Sequence, residues 1–444
     1  MSGGLRDMTR AKRRAGARAL IAPLAGFLAL VAASVALGAG QAGDDLGRYI
    51  VVLKDSIDHP GAVARAQTEG NGGKVGFVYR RGPVGYSAAL SDNAVRALAR
   101  NPVVRDIRPD RQDADVQMAQ AYSTGIKRVF AFGNKALQID EKNNFQVNAD
   151  VAVIDGGFSI SESDLNVLKR TYCNGSEEFA TCKDGEGNDV ASGHGTRMAS
   201  AIGALDNSEG VVGVAPGVRL WSVKVFDPSV FESEIVAGLE WVTQHANQIE
   251  VANMSLGCTS LPCERSTARE AMTAAVEAGV VVVVAAGNNG ENAEGSDYAS
   301  HPQALAVSGI ADYDGAPGFK ATAWWYPSCN PVQQPGDTEK RGADDALYTK
   351  SNFGAVVDVT APAVCIRTLM PGGTLAYSTG TSVATAEVSG AAAIVAFHVD
   401  PENSGDVEEI RKTITKAGNL EWEDTSKDGV AEPLEDLSNE ETFK

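Results

Sequence analysis

The sequence predicts an α/β protein: a parallel sheet with helices on both faces, preceded by a small α+β unit. From residue 150 onward, short continuous apolar runs alternate with segments of helical periodicity. Continuous apolar runs are typical of strands that are buried on both faces. Regular alternation of strand and helix is the pattern of a parallel sheet covered by helices. Residues 48–110 instead group strand-like segments around two helices, which indicates a small α+β unit.

Six elements are expected in the small unit. Runs of apolar and β-branched residues predict its strands, and two apolar-periodic segments predict its helices. The strands are expected at 48–55, 74–80, 85–91 and 103–109, and the helices at 59–70 and 92–101. The polar stretch that follows, 110–125, has no periodicity and is expected to be a linker.

Four strands, with three helices between them, are expected in the main unit, in addition to an Ala-rich helix that Ser382 opens. The strands are expected at 150–154, 219–225, 250–255 and 279–286. The helices are expected at 195–205, 231–247 and 264–279. Functional residues of such sheets lie just beyond the carboxyl ends of the strands. The residues that follow these strands are therefore the first candidates for a site.

The N-terminus has the layout of a secretory signal peptide. A basic stretch at 6–18 precedes an uncharged apolar stretch at 19–40 that ends in small residues. This layout predicts removal of residues 1–42 and a secreted protein; an uncleaved membrane anchor is the alternative. The 444-residue chain has a formal net charge of −18, so it is not expected to bind nucleic acid.

Six cysteines follow residue 170. An even number of cysteines after a secretory signal predicts disulfides. Pairing of sequence neighbours is the simplest expectation, and a zinc site is the alternative, although no spacing resembles a short C-x-x-C pair. The expected pairs are Cys173–Cys182, Cys258–Cys263 and Cys329–Cys365.

Four polar residues lie where strands end or helices begin. Asp155 follows the first strand of the main unit, Asn288 follows the fourth, and His194 and Ser382 open helices. Each has an ordinary explanation alone, as a turn former, a cap or a surface residue. Together they supply a nucleophile, a base, a carboxylate that orients the base and a donor for an oxyanion. Acyl transfer needs these parts, so the set is the candidate catalytic site.

Five strings around these residues resemble the motifs of subtilisin-like serine peptidases. They are VAVIDGG, GHGTRMAS, NMSLG, VAAGN and GTSVATAEVSG, and they occur in the family's order. The chain order Asp, His, Ser is also that of subtilisin. The similarity covers residues 119–420 and implies a subtilisin-like fold with serine endopeptidase activity.

The resemblance implies a role for each candidate. Ser382 would attack the scissile carbonyl, His194 would take and return the proton, and Asp155 would orient the imidazole. The Asn288 amide and the Ser382 backbone N–H would donate to the oxyanion. Peptide would bind as an added strand, flanked by six residues. These are Ser255, Leu256, Gly257, Ala285, Ala286 and Gly287.

Three positions depart from the family pattern. Gly156 stands where the family has a hydroxyl residue, and Ala386 stands where it has proline. Loss of the hydroxyl is expected to cost Asp155 one hydrogen bond, whereas proline is tolerated rather than required in the first turn of a helix. Glu387 is expected to add negative charge near the active helix. Whether Gly156 and Glu387 reduce activity stays open.

The resemblance also implies a structural calcium ion. Two segments match the family's calcium loop and its calcium carboxylate in length and position, and hard cations prefer the oxygens that they supply. An ordinary solvated turn is the alternative. The implied ligands are Gln120, Asp164, Leu205, Asn207, Glu209 and Val211, three of them through backbone oxygens.

A precursor that processes itself is implied as well. Residues 43–118 would be an inhibitor-type propeptide, acting as intramolecular inhibitor and chaperone, and 119–420 the peptidase domain. Self-cleavage is expected between Met118 and Ala119, and residues 421–444 are expected to form an acidic C-terminal tail. The expected partners are protein or peptide substrates and the chain's own propeptide, and the enzyme is expected to be monomeric.

Two clues to substrate preference disagree. Self-cleavage after Met118 favours a pocket for large apolar side chains, whereas Asp297 lies near the expected pocket floor and would favour Lys or Arg. Met118 is given more weight, because the alignment around Asp297 crosses loops of variable length. The alternatives to broad digestion are a non-enzymatic peptide-binding protein and a peptidase with one dedicated target.

Overall fold

The computed structural model divides into two compact units, Met1–Val116 and Gln117–Lys444. The expected signal peptide, the Met118–Ala119 bond and Cys329 lie outside the described residues. The structure describes residues 47–54, 56–57, 59–70, 73–80, 84–109, 120–158, 163–175, 180–188, 193–226, 229–258, 260–318 and 342–444.

The first unit is a four-stranded antiparallel sheet with two helices, in the sheet order β2-β3-β1-β4. Its core is formed by side chains such as Val51, Leu53, Tyr86, Leu90 and Leu98. The six elements predicted from the sequence are confirmed. They are β1 (Gly47–Leu53), α1 (Pro60–Glu69), β2 (Lys74–Tyr79), β3 (Gly85–Leu90), α2 (Asp92–Leu98) and β4 (Val104–Pro109).

The second unit contains a mostly parallel sheet with the order β12-β11-β10-β9-β5-β8-β6-β7, and β13 pairs with β11. Its elements begin with α3 (Thr124–Arg128), β5 (Asp150–Asp155), β6 (Val167–Tyr172), β7 (Lys183–Asp184), α4 (His194–Gly203), β8 (Arg219–Lys224), α5 (Glu232–Gln244), β9 (Val251–Met254) and α6 (Ser266–Glu277). They continue with β10 (Val281–Ala285), β11 (Leu305–Ala311), β12 (Ala346–Leu347), β13 (Val359–Pro362), β14 (Ile366–Leu369), β15 (Leu375–Ser378), α7 (Thr381–Val399) and α8 (Ser404–Ala417).

The central strands are buried and parallel, as the apolar runs predict. Strands β5, β9 and β10 are buried along their whole length. β5 pairs in parallel with β8 and β9, and β9 pairs in parallel with β10. Helix α4 packs against α7, and α5 packs against α6. The four strands and three helices predicted for this unit are confirmed to within a few residues at each end.

Helix α7 runs through the middle of the second unit. Apart from Glu387 and His398, its side chains are small or apolar, and almost all of its residues up to Ala396 are buried, as expected for a helix without a polar face. It contacts β9, β10, β11, α4 and α8. By length and composition α7 could cross a membrane, but 78% of the relevant window is buried inside the protein. The helix is therefore part of the core.

Two of the three predicted disulfides are present, Cys173–Cys182 and Cys258–Cys263. Cys365 is also disulfide-bonded. Its predicted partner, Cys329, lies outside the described residues.

Residues 421–444, expected to form an acidic C-terminal tail, pack into the second unit. The side chains of Leu434, Leu437 and Phe443 are buried. The side-chain amide of Asn134 donates to the backbone oxygens of Leu437 and Phe443, at 3.0 and 2.6 Å. The acidic composition does not indicate this packing, because a few apolar residues among many charged ones are enough to hold a short segment against the core.

Glu387 does not place a negative charge beside the active helix, contrary to the sequence-based expectation. The residue is 1% exposed, and neither carboxyl oxygen has a hydrogen-bond partner among the described residues. Burial, with the neighbouring carboxyls of Glu435 and Asp312, raises the pKa of Glu387 well above its ordinary value. A Cβ at Gly125 would overlap this carboxyl group, so the glycine provides the space for it. Glu387 is therefore a neutral acid in the core.

Deleting residues 421–444 is expected to destabilise the protein strongly. Four buried apolar side chains, those of Trp422, Leu434, Leu437 and Phe443, would leave the core, each contributing about 1.5–3 kcal/mol, and Asn134 would lose two acceptors. Denaturant unfolding of the full-length and truncated chains measures the difference, with Ser382→Ala in both because the expected self-cleavage would otherwise alter the chains. The control, Glu440→Gln with Glu441→Gln, removes two exposed charges and should change little. Equal unfolding midpoints for the full-length and truncated chains would contradict the packing described.

Glu387→Gln is expected to stabilise the protein, and increasingly so as the pH rises. The folded state keeps the proton on Glu387, whereas the unfolded chain loses it above the ordinary pKa of Glu, about 4.3. The free energy of unfolding of the wild type therefore falls with rising pH between that value and the raised pKa of the folded state. The amide removes this dependence.

Unfolding of both chains at pH 4 and pH 8, again with Ser382→Ala, measures this effect. The free energies of unfolding of the wild type and Glu387→Gln should be close at pH 4, and that of Glu387→Gln should be higher at pH 8. Glu409→Gln, at an exposed position on α8, is the matched control and should show no such divergence. A Glu387→Gln protein that is no more stable than the wild type at pH 8 would refute the buried neutral acid.

Candidate active site

The four candidate catalytic residues lie at the carboxyl edge of the sheet. Asp155 is the last residue of β5, and Asn288 follows β10. His194 is the first residue of α4, and Ser382 is the second residue of α7. The topology therefore brings together positions that are far apart in the sequence, as expected for an open parallel sheet.

Asp155 and His194 are in direct contact. Nδ1 of His194 lies 2.8 Å from each carboxylate oxygen of Asp155. The Asp155 side chain is fully buried, whereas that of His194 is 26% exposed. Because an ionised carboxylate only accepts hydrogen bonds, Nδ1 must carry the proton, and Nε2 of a neutral imidazole is then the basic nitrogen.

Glycines allow this contact. A Cβ at Gly195 would overlap the backbone oxygen of Gly157, so the first turn of α4 touches the chain that leaves β5. Gly157 itself has φ +84°, a conformation that L-residues with side chains rarely adopt. The backbone N–H of Gly156 donates to Oδ1 of Asp155 at 2.7 Å. This bond partly replaces the hydroxyl donor that the sequence lacks at position 156.

Ser382 is fixed against the end of β9. Oγ of Ser382 donates to the backbone oxygen of Ser255 at 3.3 Å. In return, Oγ of Ser255 donates to the backbone oxygen of Ser382 at 2.7 Å. The buried side chain of Asn253 accepts from Oγ of Ser389, about two turns of α7 further on, at 3.0 Å. In this arrangement the Ser382 hydroxyl points to a backbone carbonyl rather than to the imidazole.

Asn288 is oriented by the residue before Ser382. Its Oδ1 accepts a hydrogen bond from the backbone N–H of Thr381 at 2.9 Å. This contact decides which end of the amide is oxygen, so Nδ2 lies on the opposite side. The Asn288 amide nitrogen is thereby available to a ligand in the adjoining pocket.

A pocket of about 320 Å³ opens beside these residues. Of the predicted substrate-binding residues, Gly257, Ala285 and Gly287 line it, together with Asn288 and Ser382. Ser255, Leu256 and Ala286 are adjacent in the chain but do not line it. Two lining residues escaped the sequence analysis, Cys258 and Asn289.

Asp297 is not part of the pocket lining. Its carboxylate accepts a hydrogen bond from the backbone N–H of Arg265, the residue that precedes α6. Asp297 is thus engaged at the start of a helix, where a negative charge is favourable. The pocket lining contains no charged side chain, so the carboxylate of Asp297 gives no argument for a preference for Lys or Arg.

Asn352 stabilises the loop that carries Asn288. The sequence analysis did not predict this role. Oδ1 of Asn352 accepts from the backbone N–H groups of Asn289 and Glu291, at 2.9 and 3.1 Å. Its Nδ2 donates to the backbone oxygen of Ala286 at 2.9 Å, and its own backbone N–H donates to Gly287 at 2.9 Å. The loop that carries Asn288 is therefore held by a buried amide from a distant segment. No local pattern around residue 352 indicates this role.

The six predicted calcium ligands also come together. Oε1 of Gln120 accepts from the backbone N–H of Asn207 at 2.8 Å. The carboxylate of Asp164 accepts from Nδ2 of Asn207 and from the backbone N–H of Val211, at 2.9 and 3.1 Å. Leu205 donates its N–H to the backbone oxygen of Asp164. Glu209 donates its N–H to Oδ1 of Asn207.

The electrostatics of this loop suit a cation. Burial raises the pKa of Asp164 to about 7, and the charge of Glu209 also acts in that direction. A Cβ at Gly210 would overlap the Asp164 carboxylate, so glycine leaves room for the loop to close around it. Asp206, which the sequence analysis missed, accepts from Nε2 of Gln120 at 2.6 Å and positions that side chain.

A second group of acidic oxygens lies elsewhere in the same unit. One oxygen from each of Asp312, Asp314 and Asp344 lies within 4.8 Å of the others. The buried guanidinium of Arg128 lies 3.1 Å from Asp312 and already supplies a positive charge there. Burial nevertheless raises the pKa of Asp312 to about 8. This group is a possible metal-binding cluster that the sequence analysis did not predict.

The sequence matches the model of the subtilase family over residues 146–432. The chain belongs to the subtilase family. It is 31% identical over 379 residues to subtilisin NAT of Bacillus subtilis subsp. natto, covering 84% of this chain and 86% of that protein. It is 34% identical over 316 residues to an alkaline protease of Shouchella clausii, covering 70% of this chain and 68% of that protein. The protein is accordingly a subtilisin-like serine endopeptidase.

Two solved structures share the subtilase fold. One is a cold-adapted subtilisin-like serine proteinase, with a TM-score of 0.50 and 22% identity, covering 67% of this chain and 96% of that one. The other is a protease of Pseudoalteromonas arctica PAMC 21717, with a TM-score of 0.52 and 22% identity, covering 69% of this chain and 91% of that one. These likenesses confirm the predicted α/β fold class.

Proposed function

We propose that this subtilase hydrolyses peptide bonds through Asp155, His194 and Ser382, with Asn288 as an oxyanion donor. The observation that carries the proposal is the contact of His194 Nδ1 with both oxygens of a fully buried Asp155. This contact holds the imidazole in the tautomer in which Nε2 is the base. Ser382 and Asn288 line one pocket, where a scissile carbonyl could meet both.

In the proposed reaction, Ser382 turns from the Ser255 carbonyl toward the imidazole when substrate binds. Catalytic hydrogen bonds are often long or misaligned in free enzymes and tighten in the complex. Nε2 of His194 takes the hydroxyl proton while Oγ attacks the carbonyl carbon. The same nitrogen then gives the proton to the leaving amine, and water hydrolyses the acyl-enzyme in a second cycle.

The developing oxyanion would be stabilised by two donors and a helix end. Nδ2 of Asn288 is directed away from Thr381, whose N–H holds the amide oxygen. The backbone N–H of Ser382 belongs to the first turn of α7, where N–H groups have no acceptor within the helix. The N-terminus of a helix also favours negative charge. These features support a preorganised oxyanion site.

Substrate would lie as an extended strand between residues 255–257 and 285–287, with one side chain in the pocket. A lining without charged groups favours uncharged, apolar side chains at that position. Met118, the residue before the proposed self-cleavage site, has this character.

We further infer that the enzyme is secreted as a precursor that processes itself. The first compact unit ends at Val116, close to the Met118–Ala119 bond. The alignment with subtilisin NAT covers 84% of the chain, which is more than residues 119–444 supply. That relative therefore resembles the chain upstream of the peptidase unit as well. The basic and apolar N-terminal stretches support a secretory signal.

Calcium would be held by the loop 205–211 together with Gln120 and Asp164. The donors are oxygen atoms of a carboxylate, two amides and the backbone, the type that Ca²⁺ prefers. The buried Asp164 carboxylate is surrounded by neutral hydrogen-bond donors, so a cation would compensate its charge. Bound calcium would supply rigidity to the loop and take no part in proton transfer.

Ser382→Ala is expected to abolish peptidase activity and self-processing together. The nucleophile is lost, and subtilisin itself loses about 10⁶-fold in kcat in that case. A fluorophosphonate probe should label the wild-type protein at Ser382 and leave Ser382→Ala unlabelled. N-terminal sequencing should find Ala119 at the start of the wild-type protein and upstream residues on the variant.

Ser404→Ala is the matched control, because Ser404 also opens a helix of the second unit. It should be labelled, processed and active like the wild type. An unlabelled, full-length wild type would contradict the proposed function. A wild type that is active but begins elsewhere than at Ala119 would contradict only the proposed cleavage site.

Calcium removal is expected to lower the thermal stability of the mature enzyme, because the folded loop loses its ligand. At a calcium concentration of 100 times the Kd the stabilisation is about 2.7 kcal/mol. Thermal unfolding of enzyme inactivated with fluorophosphonate, in calcium and in chelator, measures the effect. Asp164→Asn should abolish most of the difference.

Asp314→Asn is the informative comparison for the calcium prediction, because Asp314 belongs to the second acidic group. It should leave the calcium effect intact. Loss of the effect in Asp314→Asn and its retention in Asp164→Asn would place the ion at the other group and overturn this assignment.

A further inference from the structure

One cysteine of a disulfide lines the proposed substrate pocket. The lining consists of two glycines, one alanine, two asparagines, Ser382 and Cys258. Cys258 is the only one of these with an apolar side chain larger than a methyl group, and it is bonded to Cys263. A substrate side chain that enters the pocket therefore meets the sulfur of a cystine, which is polarisable and suits apolar contacts.

The two ends of this disulfide are held very differently. Cys263 is 5% exposed. Its backbone N–H donates to Gly295 at 2.8 Å, and its carbonyl accepts from Asp297 at 3.2 Å. Asp297 is in turn bonded to the backbone of Arg265 at the start of α6. Cys263 is thus anchored to the body of the protein by contacts with a second segment.

Cys258 lies beyond the end of β9, which stops at Met254. Cys258 is only half-buried, and Gly257 before it is exposed. Glycine gives a chain more conformational freedom than any other residue. The bond to Cys263 is therefore the covalent restraint that joins this stretch of pocket wall to the anchored segment.

We propose that the Cys258–Cys263 disulfide determines specificity by fixing the width of the pocket for one large apolar side chain. The inference rests on the proposed peptidase function and adds a specificity element to the same site. With the bond intact, the wall keeps one position relative to Ala285 and Gly287, which also line the pocket. With the bond broken, the wall can move and the pocket no longer has a fixed width. The enzyme then discriminates less between substrates with a large apolar side chain and substrates with a small one.

The test compares peptide substrates that differ only in the residue before the cleaved bond, which is Phe, Met, Ala or Lys. The proteins are the wild type and Cys258→Ser/Cys263→Ser, with active enzyme counted by fluorophosphonate labelling. The ratio of kcat/KM for Phe or Met to that for Ala should fall by about tenfold or more, the scale that small changes in apolar contact give in such pockets. The change should appear mainly in KM.

Cys173→Ser/Cys182→Ser is the matched control, because it removes the other short-range disulfide, which closes a loop after β6. It should keep the wild-type ratio. An equal change in the control would show a general loss of rigidity and overturn the proposal. Ratios that stay within about twofold of the wild type in Cys258→Ser/Cys263→Ser would overturn it as well.

Treatment of the mature wild-type enzyme with reductant covers the case in which the variant does not fold. Alkylation and mass spectrometry identify which disulfide has opened. Enzyme opened at Cys258–Cys263 should show the relaxed ratio, and an unchanged ratio in that species would refute the proposal. A wild type that neither reacts with fluorophosphonate nor cleaves any of the four peptides would instead refute the proposed function, which separates the two failures.

Discussion

The burial of helix α7 is the constraint on which the rest of the structure depends. A helix that is small or apolar at almost every position must be covered on all sides, and here β9, β10, β11, α4 and α8 pack against it. Its depth in the fold is therefore fixed by packing along its whole length. Ser382 is the second residue of this helix, so the packing of the helix also fixes the position of Ser382. The proposed nucleophile is therefore placed by the core and not by the loop that precedes it.

Polar contacts then set the details that apolar packing leaves open, since apolar contacts have little directional preference. Asn253 and Ser389 join β9 to α7, Thr381 orients Asn288, and Asn352 holds the loop after β10. Removing one partner from a buried hydrogen bond leaves the other unsatisfied, which is costly in a low-dielectric interior. Each contact therefore favours one arrangement of the site over close alternatives, and the result is a preorganised set of donors rather than a flexible one.

Local patterns were sufficient to predict the elements that carry the site. A few consecutive residues are enough to recognise the apolar runs of β5, β9 and β10 and the periodicity of α4. The motifs around Asp155, His194 and Ser382 are equally local. Asn352 and Glu387 were missed or misjudged for the opposite reason. The role of each depends on contacts with distant segments, and a residue type alone does not distinguish a buried amide or acid from a solvated one. The packing of residues 421–444 was not predicted either, because composition averages over the few apolar side chains that decide packing.

The neutral acid at Glu387 follows from the need to cover α7 completely. One side of the helix faces Gly125 of α3 and the C-terminal segment that carries Glu435. That segment is acidic, yet it is held in place by Leu434, Leu437 and Phe443, whose burial excludes water from the same region. Carboxyl groups trapped there keep their protons, because an isolated charge in such surroundings costs more than protonation. The raised pKa of Glu387 is thus a consequence of its burial in the core, and it explains how an acidic residue is tolerated on the helix that carries the proposed nucleophile.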